Sequence, residues 1–362
     1  MAAGTASAVI RALLAMWLLA AGQSAAARPA QTPHPVKVRM SSDDTPIVPL
    51  LAQSLGFLAL EGIEIEQVSI ETFAPNDFEM QRPMREGHID AAYHWFNHAV
   101  FGARHGLPIT AVMVFNDAPG MTVLVETSKA AQIRTPADFR GRAIASGAGY
   151  GTKSLITHAL AARHGLTAAD YSSVFTATQG REAGIMAGLK DQTVDVVTSE
   201  EPLTGTIRAS GLALPLVDLT TGAATRAALG APWPAQSLLM SPVFMRRSPQ
   251  AAQRLVNAFV RTMRWIEAHS AEEIAGRLPE SYFAGRNREQ QIARIRPLLP
   301  GFAKRDYRVP PAGAKLVIDA VAAYPFDASE SGRWRSTMSV SRVKAALTYD
   351  NRMVERAMAR IR

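Results

Sequence analysis

The sequence predicts an α/β protein of two similar lobes, and three observations lead there. Short apolar segments alternate with helix-length segments along much of the chain, the rhythm of mostly parallel sheets flanked by helices. A half-repeat is also visible. Met84-Arg85-Glu86-Gly87-His88-Ile89-Asp90-Ala91 is matched by Met186-Ala187-Gly188-Leu189-Lys190-Asp191-Gln192-Thr193-Val194-Asp195-Val196. Each is a helix end, a turn and then apolar-Asp-apolar, so two related units are the simplest account. Third, the apolar segment Ala143–Ala145 opens into Ser146-Gly147-Ala148-Gly149-Tyr150-Gly151-Thr152. A short strand there feeds a glycine-rich loop that starts a helix.

Residues 36–40 alternate apolar and polar and read as the first strand. Residues 46–57 read as a helix stopped near Gly56, with Pro49 in its early turns. Ile63-Glu64-Ile65-Glu66-Gln67-Val68-Ser69-Ile70 alternates strictly and is the clearest strand. Residues 84–92 give a helix end, a glycine turn and a buried strand over 89–92. A helix over 99–105 ends at Gly106, and strands follow at 109–115 and 122–125. From Thr135 the rhythm restarts with a strand at 143–145, a helix over 153–164, a turn at Gly165 and a strand near 174–177. A helix ending near Gly188 and a strand over 194–197 complete that half. Beyond Trp233 the chain reads as mainly helical, with Leu255, Phe259, Met263 and Ile266 at helical spacing inside 249–268. Residues 307–313, holding Pro310 and Pro311, read as a loop, and 340–361 as a last amphipathic helix.

Composition bounds the class. Arg11 precedes the apolar run from Ala12 to Ala21, and Ala25-Ala26-Ala27 offers small residues for cleavage. Residues 1–27 therefore read as a secretory signal peptide, too short for a membrane span of roughly 20 apolar residues. No cysteine occurs, which excludes disulfides and a cysteine-linked lipid anchor. The expected location is free in the periplasm, with the fold held by its core alone. The 362 residues, 48% of them hydrophobic, fit a globular protein of two domains. The formal charge of +8 comes from scattered arginines. Nucleic acid is not the expected partner of such an exported chain; a positive field helps to recruit an anionic solute instead.

In open α/β sheets, ligands sit beyond the carboxyl ends of the strands, which names candidate loops. Ser41, Ser42 and Thr45 follow the first strand, Phe73, Asn76 and Asp77 the second, and Tyr93, His94, Trp95 and Asn97 the third. In the second half come Ser146, Gly149, Tyr150, Gly151 and Thr152, then Gln179, Gly180 and Arg181, then Ser199, Glu200 and Glu201. Trp233 stands where the chain should return to the first lobe.

The start of the helix after the glycine loop offers unpaired N–H groups and a positive dipole end to an anion. Ser146 and Thr152 add hydroxyls there, although the same glycines would also serve a purely structural tight turn. Neither nucleotide pattern is met, because Thr152 stands where both the Walker A and the Rossmann spacings need glycine. Tyr93-His94-Trp95-Phe96-Asn97-His98 could wall a planar or apolar body, which favours an organic solute over a bare inorganic anion. Alternatively Trp95 and Phe96 begin a helix and face the core. His94 and His98 are four apart, with His88 and His105 nearby and no carboxylate between them. Transition-metal sites want three or four converging ligands, so no metal or other cofactor is expected. Arg181 could grip an acidic group with two hydrogen bonds or lie on a helix surface. Glu200 or Glu201 could receive a ligand amine, yet adjacent strand residues face opposite ways and make no acid/base pair.

Taken in order, these pieces resemble the nitrate/taurine/alkanesulfonate group of substrate-binding proteins of ABC importers. The matching segments are Leu55-Gly56-Phe57 leading to Gly62-Ile63-Glu64-Ile65, the Gly87 to Asp90 turn, Gly106-Leu107-Pro108-Ile109, and Glu201-Pro202. Thr135-Pro136-Ala137-Asp138-Phe139-Arg140-Gly141-Arg142 matches the turn that begins the second lobe, with Phe139 and Arg142 as conservative departures from leucine and lysine. The likeness covers about residues 36–270, and Asp350-Asn351 also fits. It implies a two-lobed type II periplasmic binding fold with the ligand in the interlobe cleft. Its first lobe would comprise 36–122 and 231–362 with the C-terminal helices, and its second 123–230. A monomeric, non-enzymatic receptor is implied, which delivers a small organic anionic solute, sulfonate-like or related, to an inner-membrane ABC permease. The alternative is an enzyme on the same fold acting on a small pyrimidine or carboxylate metabolite.

Overall fold

Two five-stranded sheets carry the chain in the computed structural model, which describes residues 34–42, 46–73, 80–147, 151–174, 181–323 and 343–361. The first half contains β1 (Val36–Ser42), α1 (Ile47–Ser54), α2 (Phe57–Leu60), β2 (Ile63–Gln67), α3 (Gln81–Glu86), β3 (Ala91–Trp95), α4 (Asn97–Arg104) and β4 (Thr110–Val114). After it come β5 (Met121–Glu126), β6 (Ala143–Ala145), α5 (Thr152–Ala162), β7 (Ser172–Val174), α6 (Arg181–Lys190), β8 (Val196–Glu200), α7 (Leu203–Ala209), β9 (Ala213–Leu219) and α8 (Gly222–Leu229). The last part begins with β10 (Gln236–Met240), α9 (Pro242–Arg247) and α10 (Pro249–Ala268). It continues through α11 (Ala271–Ala275), α12 (Glu280–Phe283), α13 (Arg288–Ile295), α14 (Pro311–Ala323) and α15 (Arg352–Arg360).

The strand orders are β2-β1-β3-β10-β4 and β7-β6-β8-β5-β9, the same pattern twice. In the first sheet β2, β1 and β3 run parallel, and β10 is antiparallel to both β3 and β4. In the second, β7, β6 and β8 run parallel, and β5 is antiparallel to β8 and β9. Each sheet is therefore mixed rather than mostly parallel in its pairings. Four strands point one way in each, and the reversed one is where the chain crosses from the other sheet. Both crossings lie side by side: Trp233 and Ala235 donate their N–H groups to the carbonyls of Asp117 and Asn116 at 3.2 and 2.9 Å.

The half-repeat has a physical cause. Asp90 accepts from the Arg39 main-chain N–H at 3.1 Å and returns its own N–H to the Arg39 carbonyl at 2.8 Å. In the second sheet Asp195 does the same with Ala143, at 2.7 and 2.8 Å. Each aspartate clamps its strand to the neighbouring one at the end away from the carboxyl edge. Cations neutralise both, Arg39 and Arg247 at Asp90 and Lys129 at Asp195. Asp therefore recurs because one buried carboxylate can satisfy a main-chain donor and a guanidinium or ammonium together.

Several sequence expectations shift. The helix expected over 46–57 is split, because Gly56 adopts φ +73° and restarts the chain as α2. The strand expected over 63–70 stops at Gln67, and Ile70 begins a 3₁₀ turn. The strand over 89–92 is Ala91–Trp95, and that over 194–197 is Val196–Glu200. Val194 is instead held in the preceding turn by the Gly188 carbonyl at 3.1 Å. The mainly helical reading beyond Trp233 misses β10. Pro311 opens α14 rather than lying in a loop, since proline suits the first helical position. The last helix begins at Arg352. Just before it, Ala345–Leu347 form a 3₁₀ turn, and Asn351 exchanges hydrogen bonds with the Val309 main chain at 2.8 and 3.0 Å. The helix over 249–268 stands as expected, with Leu255, Phe259, Met263 and Ile266 buried.

Candidate functional site

At the carboxyl edge of the first sheet, β1 ends in Ser41 and Ser42, and Ser42 pairs in register with Tyr93 of β3. The Ser42 Oγ is buried with no hydrogen-bond partner among the described residues. Residues 93–95, expected in the loop, are in the strand because β10 pairs alongside them, Trp95 with Gln236 and His94 with Ser237. Alternation then separates their side chains. The Tyr93 ring packs on Phe115 with centroids 4.9 Å apart, and Phe115 packs on Phe259 of α10 at 5.6 Å. Tyr93 thus belongs to the core wall. His94 receives the Trp95 N–H at 2.9 Å, and its ring meets that of His98 edge-on at 4.3 Å. Trp95 is half-buried and Phe96 fully buried, so the core-facing reading fits Phe96 and only partly fits Trp95.

At the second sheet, β6 leads through Ser146 and Gly147, whose φ of +82° makes a turn, and Gly151 caps α5. Ser154 holds this loop from inside the helix, donating to the Ser146 carbonyl at 3.0 Å with its Oγ 3.2 Å from the Ser146 Oγ. Beneath it the Thr157 and Thr198 hydroxyls meet at 2.6 Å. Glu200 closes β8 and pairs with Lys153 at 2.7 Å. Glu201 turns away to accept the Gly205 N–H of α7 at 3.1 Å. Thr45, Asn76, Gly149, Tyr150 and Gln179 lie outside the described residues, and Arg181 enters only as the first residue of α6. Trp233, expected at the cleft, occupies the second crossing with its indole buried.

The two edges meet. Thr152, the first residue of α5, donates its hydroxyl to the Asn97 Oδ1 at 3.0 Å, and Asn97 is the first residue of α4. Both are buried, at 2% exposure for Asn97 and 7% for Thr152. Lys153 and Ser154 were not among the expected site residues. A lysine in the first turn of a helix is itself a signal, because it opposes the helix dipole. Among the described residues, no three His, Asp or Glu side chains converge as a metal site would need.

Burial sets the charge of the histidines. It pushes the His98 pKa well below its ordinary value, and the neighbouring His94 lowers it further. The same cause lowers His105 to about 4, aided by Arg104, and lowers His158. Each imidazole therefore takes a proton less readily when folded than when unfolded. Folding stability is therefore full above pH ~6.5 and falls as the pH drops below it, toward the folded values. Urea unfolding at pH 7.5 and pH 5 should show the lower midpoint at pH 5, with part of that slope lost in His98→Gln. A flat midpoint across this range would contradict the burial argument.

Comparison with known proteins gives a consistent picture. The NMT1/THI5-like family model matches residues 45–273. A protein from Bordetella bronchiseptica RB50 is similar in structure, with TM-score 0.67 and 24% identity over 89% of this chain and 96% of that one. The periplasmic aliphatic sulphonate-binding protein SsuA from Escherichia coli gives TM-score 0.63 and 17% identity over 85% of this chain and 91% of that one. The periplasmic nitrate-binding protein NrtA from Synechocystis PCC 6803 gives 0.60 and 14% over 90% and 89%. A desulfurization enzyme, DszB, shares the fold at 0.57 and 16% over 90% and 99%. Among curated proteins, no sequence match is found. No helix among the described residues is long and apolar enough to cross a membrane.

Proposed function

The chain belongs to the NMT1/THI5-like family, and from that premise we propose that it is a receptor whose two sheets close on a small organic solute. The observation that carries this reading is the Thr152 to Asn97 hydrogen bond, which joins the carboxyl edges of both sheets at the start of two helices. Buried polar atoms normally find partners, and the unpaired Ser42 Oγ at the same edge is a group that a bound solute would satisfy. In this reading residues 1–27 direct export, and the mature monomer works in the periplasm and delivers its solute to an ABC permease. The similar sulfonate- and nitrate-binding proteins support an acidic group on that solute.

Binding without turnover also fits the chemistry of the edge. The Ser146 and Ser154 hydroxyls are engaged with one another and with main chain, and the chain has no cysteine to act as a thiolate. A thermal-shift screen of sulfonates, carboxylates, amino acids and pyrimidines tests the proposal. The expected result is a saturable shift, a smaller radius of gyration at saturation by X-ray scattering, and solute recovered unchanged by mass spectrometry. Recovery of a converted product would replace the receptor with an enzyme, and no shift for any class would sink the solute reading.

A further inference from the structure

We infer that α14 is a strap across both halves of the molecule, with Arg104 and His158 as positioning residues that limit how far the two sheets part. Its purpose, though not its geometry, rests on the receptor reading above. The helix packs against α4, which follows β3 of the first sheet, and against α5, which follows β6 of the second. Its buried residues Gly313, Ala314, Val317, Ala320 and Val321 form a single stripe, at the spacing of one helix face. One face therefore serves two neighbours that belong to different sheets.

Both ends of the strap are fixed. At its start, a Cβ on Gly313 would lie 2.5 Å from the Pro232 carbonyl oxygen and 2.8 Å from the Pro234 ring. Glycine thus lets the helix seat directly on the chain crossing beside Trp233. About 15 Å further along, the last turn presents carbonyls that have no partner within the helix. Arg104, the last residue of α4, donates to the Val321 carbonyl at 3.3 Å. From the other half, the buried His158 of α5 hydrogen-bonds the Ala323 main chain, with its Nδ1 3.4 Å from the Tyr171 hydroxyl. One helix terminus is capped by a side chain from each half.

The helices joined in this way are the same two whose first residues, Asn97 and Thr152, meet at the carboxyl edges. Parting the sheets pulls α4 from α5, and α14 can follow only one of them. Either the Arg104 or the His158 contact then breaks, and a helix carbonyl or a buried imidazole loses its partner. Opening is thus resisted at side chains that stand away from the carboxyl edges, where solute would bind.

Spin-label distances on the full chain, measured by double electron–electron resonance, test this without any solute. The sequence has no cysteine, so Gln53→Cys on α1 and Lys190→Cys on α6, both exposed, place one nitroxide on each half. Loss of one strap hydrogen bond is expected to raise the population of long distances about two- to tenfold. His158→Leu and Arg104→Met should each show that rise, with circular dichroism unchanged. His158→Gln, which keeps an amide donor, should return the distribution toward the parent. A parent-like distribution in either loss variant, or an equal rise in His158→Gln, would overturn the inference. The thermal-shift screen reads the receptor proposal separately. If the distances lengthen and no solute binds, only the receptor reading fails; if solute binds and the distances stay put, only the strap fails.

Discussion

Replacing Asp90 with alanine is expected to cost about 1–3 kcal/mol of folding stability, the range for leaving a buried polar group without its partner. The carboxylate is 1% exposed and four donors converge on it. They are the Arg39 N–H at 3.1 Å, the Arg39 Nε and Nη2 at 3.2 and 3.1 Å, and the Arg247 Nη2 at 2.9 Å. The Arg39 side chain is about one-third exposed and that of Arg247 half exposed, so both can turn to water. The Arg39 main-chain N–H, fixed in β1, cannot. Asp90→Asn keeps an acceptor for that N–H but loses the charge, and it should therefore fall between alanine and the parent. Chemical unfolding of the three proteins checks the order. Equal stability of Asp90→Ala and the parent would show that the arginines alone hold this end of the sheet.

That aspartate was legible in the sequence because the clamp is local to a short motif that occurs twice. Other parts of the fold left weaker traces. β10 is a run of five residues, Gln236-Ser237-Leu238-Leu239-Met240, of which four are fully buried. A short buried run has no alternation to set it apart from a helix turn. Its partner strands lie far away in sequence. Missing β10 also misplaced the end of β3, since Tyr93, His94 and Trp95 are extended only because β10 runs beside them. The candidate site shows the same division. Strand ends and the glycine loop named Ser41, Ser42, Ser146 and Thr152 correctly as edge residues. Whether a side chain turns into the core, as Tyr93 and Trp233 do, depends on what packs above it. The meeting of Asn97 with Thr152 is a tertiary event between residues 55 apart, invisible to spacing.

That meeting should govern how tightly solute is held. Thr152→Val keeps the side-chain shape and removes the hydroxyl, which leaves the Asn97 Oδ1 buried without its donor. A stranded buried polar group costs about 1–3 kcal/mol. On the receptor reading proposed above, in which the two sheets close on solute, that cost falls on the closed form, because the bond joins the two sheets. It should appear as about 5- to 150-fold weaker solute binding, mostly as faster release. Asn97→Ala removes the other half and should weaken binding to a similar degree. The double variant should be little worse than either single one, with a coupling energy of about 0.5–3 kcal/mol. Stopped-flow release rates for the four proteins, with the solute found by screening, measure the cycle. If the two effects simply add, Thr152 and Asn97 act on solute independently. If both variants release like the parent, the two sheets are held together elsewhere and this contact is only packing.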